Sequence, residues 1–84
     1  MSHHRPSIAC LQKTLRLAHR RIKVGRFYCH VAMPTKHYRV ERLAVNESDY
    51  SITVVYSDGD VTWTRSLDSW LSGVNGRARF SLIE

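Results

Sequence analysis

The first forty residues of this 84-residue chain contain no aspartate and no glutamate. All seven acids lie from Glu41 onward, whereas nine of the thirteen lysines and arginines precede them. The leading part therefore carries +9 and the trailing part −3, which together make the formal charge of +6. Other features are scarce as well. Two cysteines, Cys10 and Cys29, are far below the density of a secreted disulfide scaffold, and a bridge between them is not expected. Prolines number two and glycines four, with no internal repeat and no low-complexity segment. No apolar run has the length that a signal peptide or a membrane span needs, so the chain reads as cytoplasmic.

What remains is an ordinary globular composition, 43% hydrophobic and 24% charged. The organisation expected is a flexible N-terminus over residues 1–6 and a single domain over 7–84. A domain of this size buries only roughly 60–65% of its unfolded surface, so its core is thin. Charge of one sign concentrated in one element sets up a local field, and evenly spread charge would be screened beyond ~8 Å at physiological salt. The partner of such a face is an anion: nucleic acid, an acidic protein surface or a phosphorylated small molecule.

Residues 7–22 carry helical periodicity. Ile8, Leu11, Leu15, Ala18 and Ile22 recur at spacings of three and four, while Gln12, Lys13, Arg16, His19, Arg20 and Lys23 fall on the other side. Ser7 after Pro6 offers a hydroxyl to the first turn, and Gly25 ends the element. The thin core makes packing of this apolar stripe on the chain's own sheet the favoured arrangement, with a helix-mediated homodimer as the competitor.

After Gly25 the period changes to two. Residues 26–31 read as a first strand, Met33-Pro34-Thr35 as a break, and residues 38–45 as a second strand with a bulge near Glu41-Arg42. Tyr50, Ile52, Val54 and Tyr56 alternate as a third strand. An Asp58-Gly59 hairpin leads to a fourth over 61–65, with Val61 and Trp63 facing inward. Leu67, Trp70 and Leu71 form a short helical turn capped by Ser66, with Trp70 in the core. Asn75-Gly76 makes a tight turn, and residues 79–83 close a fifth strand. The fold expected is mainly β with an N-terminal α-helix: a small SH3-like bent antiparallel sheet or half-barrel of about five strands.

From Gly25 onward the chain resembles a short bacterial family, domain of unknown function 1653. The resemblance rests on Gly25-Arg-Phe-Tyr-Cys-His30, Tyr38-Arg-Val40, Val54-Val-Tyr56, Asp58-Gly59, Trp63-Thr-Arg65, Leu67 and Arg79-Phe80. It covers about two thirds of the chain and leaves out the basic helix. Where that family usually has Lys-Gly after the histidine this chain reads Val31-Ala-Met-Pro34, and Ser66 stands where the family has proline. The family has no assigned activity, so the resemblance implies a fold and singles out two polar strand positions, His30 and Arg65. These are read as hydrogen bonds that hold strands together in preference to ligand contacts.

The strongest candidate site is the helix face of Lys13, Arg16, Arg20 and Lys23, since no acid interleaves to pair these cations. The competing reading is a solvated face that only keeps the protein soluble. Arg26, Tyr28 and Arg39 would supplement the face from the sheet, with Tyr28 as a stacking platform because its parity opposes that of Phe27. Cys29 and His30 are adjacent and so point to opposite faces of a strand. With Cys10, His19 and His37 they offer no zinc spacing, and no metal or cofactor is expected. The acids fall mostly in turns without a paired carboxylate or nucleophile motif, so no enzyme is expected.

The function expected is a nucleic-acid-binding module that contacts the phosphate backbone with low sequence specificity. The alternative is an interaction protein of the kind phages and mobile elements carry, which binds and inhibits a larger bacterial complex such as a defence system. A weaker third reading is capture of a nucleotide-like signal between two copies. The chain is expected to be a monomer that does not bind membranes.

Overall fold

The computed structural model describes residues 5–83. Residues 1–4, most of the expected flexible N-terminus, and Glu84 lie outside the described residues. Ser7 opens the first helix, α1 (Ile8–Arg21), by accepting a hydrogen bond from the Cys10 amide at 3.1 Å, which satisfies one of the orphan donors of the first turn. Its last turn holds His19, Arg20 and Arg21, where the helix dipole favours cations. The chain leaves the helix at Ile22 and reverses at Gly25, whose φ of 83° lies in the left-handed region that glycine adopts without strain.

Then come β1 (Phe27–His30), β2 (Met33–Val45), β3 (Ile52–Ser57), β4 (Thr62–Ser66), α2 (Leu67–Leu71), β5 (Gly73–Val74), β6 (Arg77–Ala78) and β7 (Phe80–Leu82). Five strands form one antiparallel sheet in the order β4-β3-β2-β1-β7, and β5 with β6 makes a separate two-stranded ribbon around Asn75-Gly76. The expected fold class holds. The protein is mainly β behind an N-terminal helix, and its five-stranded sheet stays open as a half-barrel whose edges are β4 and β7. The expected bulge is present too, with the β2–β3 register shifting between Val40 and Arg42. Ser66 caps α2 by accepting from the Ser69 amide at 3.1 Å.

Both helices cover one face of the sheet. Ile22 joins Tyr28 of β1, Val40 of β2, Val54 and Tyr56 of β3, Trp70 of α2 and Phe80 of β7 in a single buried cluster. Trp70 lies flat on Phe80, with ring centroids 3.7 Å apart and planes within 2°. Tyr28 and Tyr56 meet Trp70 edge-on. Trp70 is thus core, as its helical spacing with Leu67 and Leu71 implied.

Four details differ from expectation. Met33-Pro34-Thr35 does not break the sheet but begins β2. The β1–β2 register steps from His30↔Met33 to Cys29↔His37, so Pro34, Thr35 and Lys36 stand outside the ladder and the missing N–H of Pro34 costs no pairing bond. Tyr50 belongs to a turn, with a left-handed φ of 61°, and β3 starts two residues later. Trp63, expected in the core, is 46% exposed, as is Val61. Its parity is right, since it lies directly opposite Tyr56. But β4 is an edge strand, and the aromatic cluster leaves that ring half in solvent. Lastly, only the C-terminal half of the α1 stripe is buried: Ala18 and Ile22 are covered, Leu11 and Leu15 are half-covered, and Ile8 is 64% exposed. The stripe does pack on the chain's own sheet, against β2 and β3.

The Asp58-Gly59 hairpin carries more than a turn. One carboxylate oxygen of Asp58 accepts from the amides of Asp60 and Val61 at 2.9 and 2.8 Å. The other accepts from the Trp63 indole at 3.2 Å and pairs with Lys36 of β2 at 3.2 Å. Stabilisation of the charged form by the Val61 and Asp60 amides, then by the indole, holds this carboxyl well below the usual carboxylate range. The same contact raises the Lys36 ammonium above its ordinary value.

Two outcomes follow from this packing. Ile22→Ala should cost ~2–5 kcal/mol in chemical denaturation, a large part of the ~5–10 kcal/mol expected at this size, whereas Ile8→Ala should leave the midpoint almost unchanged. Asp58→Ala should lower Tm by several degrees at pH 7. Because the folded-state pKa of Asp58 is depressed, its contribution is complete above the unfolded value of ~3.9 and fades as pH falls below it. The gap in Tm between variant and parent, followed by circular dichroism, should therefore narrow in acid.

Candidate functional site

Lys13, Arg16 and Arg20 are all exposed on the outer side of α1 and line one shallow depression with Leu17 and His19. Their spacing of three and four sets them about 4.5–6 Å apart along the axis. The ion pairs among the described residues are Lys36 with Asp58 and Arg39 with Glu41, so none of these three cations is neutralised there. His19 turns its Nδ1 back to the Leu15 carbonyl at 2.8 Å and stays on the helix surface.

Lys23 and Arg26 are exposed on either side of the Gly25 turn, one residue beyond the helix cap and one before β1. Lys23 is therefore next to the helical row rather than in it. Arg39 reaches the same turn from β2, since a Cβ placed on Gly25 would stand 4.0 Å from its guanidinium. It lies opposite Phe27 and Ser57, on the face of the sheet that the helices leave uncovered. At 3.6 Å from Glu41, its charge is also partly offset. The structure thus gathers Lys13, Arg16 and Arg20 on the helix and Lys23, Arg26 and Arg39 around the turn below it.

Tyr28 is a correction. Its parity does oppose that of Phe27, but Phe27 is the exposed partner and Tyr28 is 5% exposed within the core cluster. Its hydroxyl accepts the Lys23 amide at 2.9 Å, tying the α1–β1 connection to the core, so it offers no stacking face.

His30 and Arg65 come together at the opposite end of β1, around Phe80. The His30 ring stands edge-on to Phe80 with centroids 5.0 Å apart, and its Nδ1 accepts the Ala32 amide at 3.0 Å. Arg65 reaches in from β4, its guanidinium carbon 5.5 Å from the Phe80 centroid and its Nη1 donating to Ser69 Oγ at 2.9 Å. Contrary to expectation, neither bond joins two strands: Arg65 bonds to the short helix α2 and His30 to an amide two residues on, and the Arg65 Nε–H is buried with no acceptor among the described residues. A third member was missed in the sequence. Arg79, just before β7, donates through Nε to Ser72 Oγ at 3.3 Å. The signal available was the pair Ser69 and Ser72, three apart on the turn between Arg65 and Arg79. Burial first, then the positive charges of Arg65 and Arg79, pushes the His30 imidazole below its ordinary value.

Both cysteines are free, and among the described residues no three His, Cys, Asp or Glu side chains gather as a metal ion would need. No described helix is long and apolar enough to cross a membrane. No family model, curated protein or solved structure matches the chain, so the resemblance drawn above rests on its quoted residues alone.

The His30 environment makes a direct test. An NMR titration should place its pKa below ~6.5. Arg79→Gln should raise it, because removing a nearby positive charge relieves the penalty on the imidazolium.

Proposed function

We propose that this protein is a small basic binding module that takes the phosphate backbone of nucleic acid along α1, with low sequence specificity and no catalytic chemistry of its own. One observation carries the reading: Lys13, Arg16 and Arg20 present their charge on one exposed helix face with no acid to pair them among the described residues. Lys23 and Arg26 extend the positive strip beyond the helix, and Arg39 adds a weaker contribution because Glu41 shares it. Such contacts position a polyanion without reading bases. The resemblance to domain of unknown function 1653 is part of the same proposal and bears only on the sheet.

A protein partner is the second reading, and a specific observation favours it. Leu17 is 49% exposed in the middle of the cations. An apolar side chain ringed by arginine and lysine suits an acidic protein surface with an apolar centre, as a phage or mobile-element inhibitor of a defence complex would require. Leu17→Ser should weaken such a complex and leave a phosphate-backbone contact unchanged.

The deciding experiment replaces Lys13, Arg16, Arg20 and Lys23 together by Gln. Helix propensity barely changes, so stability should hold. The plot of log affinity for duplex DNA against log salt should flatten by ~3 to 4 units, as four phosphate contacts are removed. An unchanged slope in a gel-shift series would mean that the face is only solvated.

A further inference from the structure

We propose that His30, Arg65 and Arg79 form a binding site for a single phosphate monoester, separate from the basic face of α1. The three side chains come from three places in the chain, β1, β4 and the segment before β7. His30 and Arg65 meet at Phe80, and Arg79 joins them through Ser72, whose hydroxyl donates to Ser69, the residue that holds Arg65. All three are half-buried, so they are organised by the fold and still open to solvent.

The bracing of the two arginines sets this cluster apart from a structural ion pair. Arg65 donates to Ser69 Oγ, Arg79 donates to Ser72 Oγ, and Ser72 Oγ donates in turn to the Ser69 carbonyl at 2.7 Å. One short helix therefore aims both guanidiniums, using neutral hydroxyls. Hydroxyls fix direction without cancelling charge. The acid within reach in sequence, Asp68, is exposed and makes no ion pair among the described residues. Arg65 and Arg79 both act on His30, and neither makes an ion pair among the described residues. An anion with several acceptor oxygens offsets both charges.

His30 adds a donor. Accepting the Ala32 amide requires a bare Nδ1, which puts the proton of the neutral ring on Nε2. Donors from three different elements suit a tetrahedral group with three free oxygens better than a planar carboxylate, which one arginine can hold alone. A free nucleotide and the phosphorylated end of a nucleic-acid strand both present such a monoester, and the recognition chemistry is the same.

The test is a titration of the full 15N-labelled chain with inorganic phosphate at low ionic strength, following the His30 ring and the Arg65 and Arg79 side-chain N–H groups by NMR. Saturable shifts at these groups are expected. The charged groups facing His30 are Arg65 and Arg79, so a bound dianion between them should raise the His30 pKa. Arg79→Gln, and independently His30→Gln, should weaken binding by about tenfold or more. The triple variant Lys13→Gln, Arg16→Gln, Arg20→Gln should keep it. Displacement of phosphate by AMP, or by a 5′-phosphorylated oligonucleotide but not its 5′-hydroxyl counterpart, would support the site and identify the source. No saturable response would overturn it. So would a response lost in the triple variant but retained in both single ones, or the failure of both monoesters to compete. Loss of duplex-DNA binding in the triple variant with phosphate binding intact would uphold both sites independently.

Discussion

The Trp70–Phe80 stack is the contact on which the rest of the architecture leans. Phe80 belongs to the last strand and Trp70 to the short helix that precedes it, so their contact folds the end of the chain back across the open sheet. A centroid separation of 3.7 Å leaves little room for the offset that aromatic faces prefer. The arrangement is held by its surroundings. Tyr28 and Tyr56 press their edges on Trp70, while Tyr38, Tyr56 and His30 stand edge-on to Phe80. Every strand of the sheet except the exposed edge β4 contributes an aromatic ring to this cluster, and β4 sends Arg65 instead. The half-barrel thus stays open at its backbone edges but is closed through side chains.

The same geometry explains why the charge asymmetry survives folding. Most acids whose contacts are described serve their own neighbourhoods. Asp58 organises the β3–β4 turn, Asp49 accepts from the amide and hydroxyl of Ser51, and Glu41 sits beside Arg39 within one strand. None of them is placed to reach the outer side of α1. The positive field of the helix is therefore a property of the folded molecule as well as of the sequence. The second positive cluster, at the far end of β1, follows a different rule, because its cations are neighbours through the fold and not through the chain.

Period and turn chemistry made much of this legible. The helical spacing of Ala18 and Ile22, the cap at Ser7, the bulge after Val40 and the Asn75-Gly76 turn are local, and local chemistry decides them. Depth is not local. Trp63 and Tyr56 have the same parity and face each other, yet one is half-exposed and the other buried, since strand order decides which of them has a neighbour on both sides. Tyr28 and Phe27 show the same limit: alternation says that they face apart, but only the position of α1 says which faces in. Arg79 escaped notice because its link to Arg65 runs through Ser72 and Ser69 and exists only in the fold.

The way α1 is seated has a consequence for how such a chain can change over generations. The helix is held chiefly by two buried side chains, Ala18 and Ile22, and by the hydrogen bond from the Lys23 amide to Tyr28. Its opposite side is under no packing constraint, so substitutions there alter what the protein touches without altering whether it folds. Affinity and foldability become separately inheritable. A lineage under pressure from a changing partner can search the residues around Leu17 freely while the sheet stays as it is.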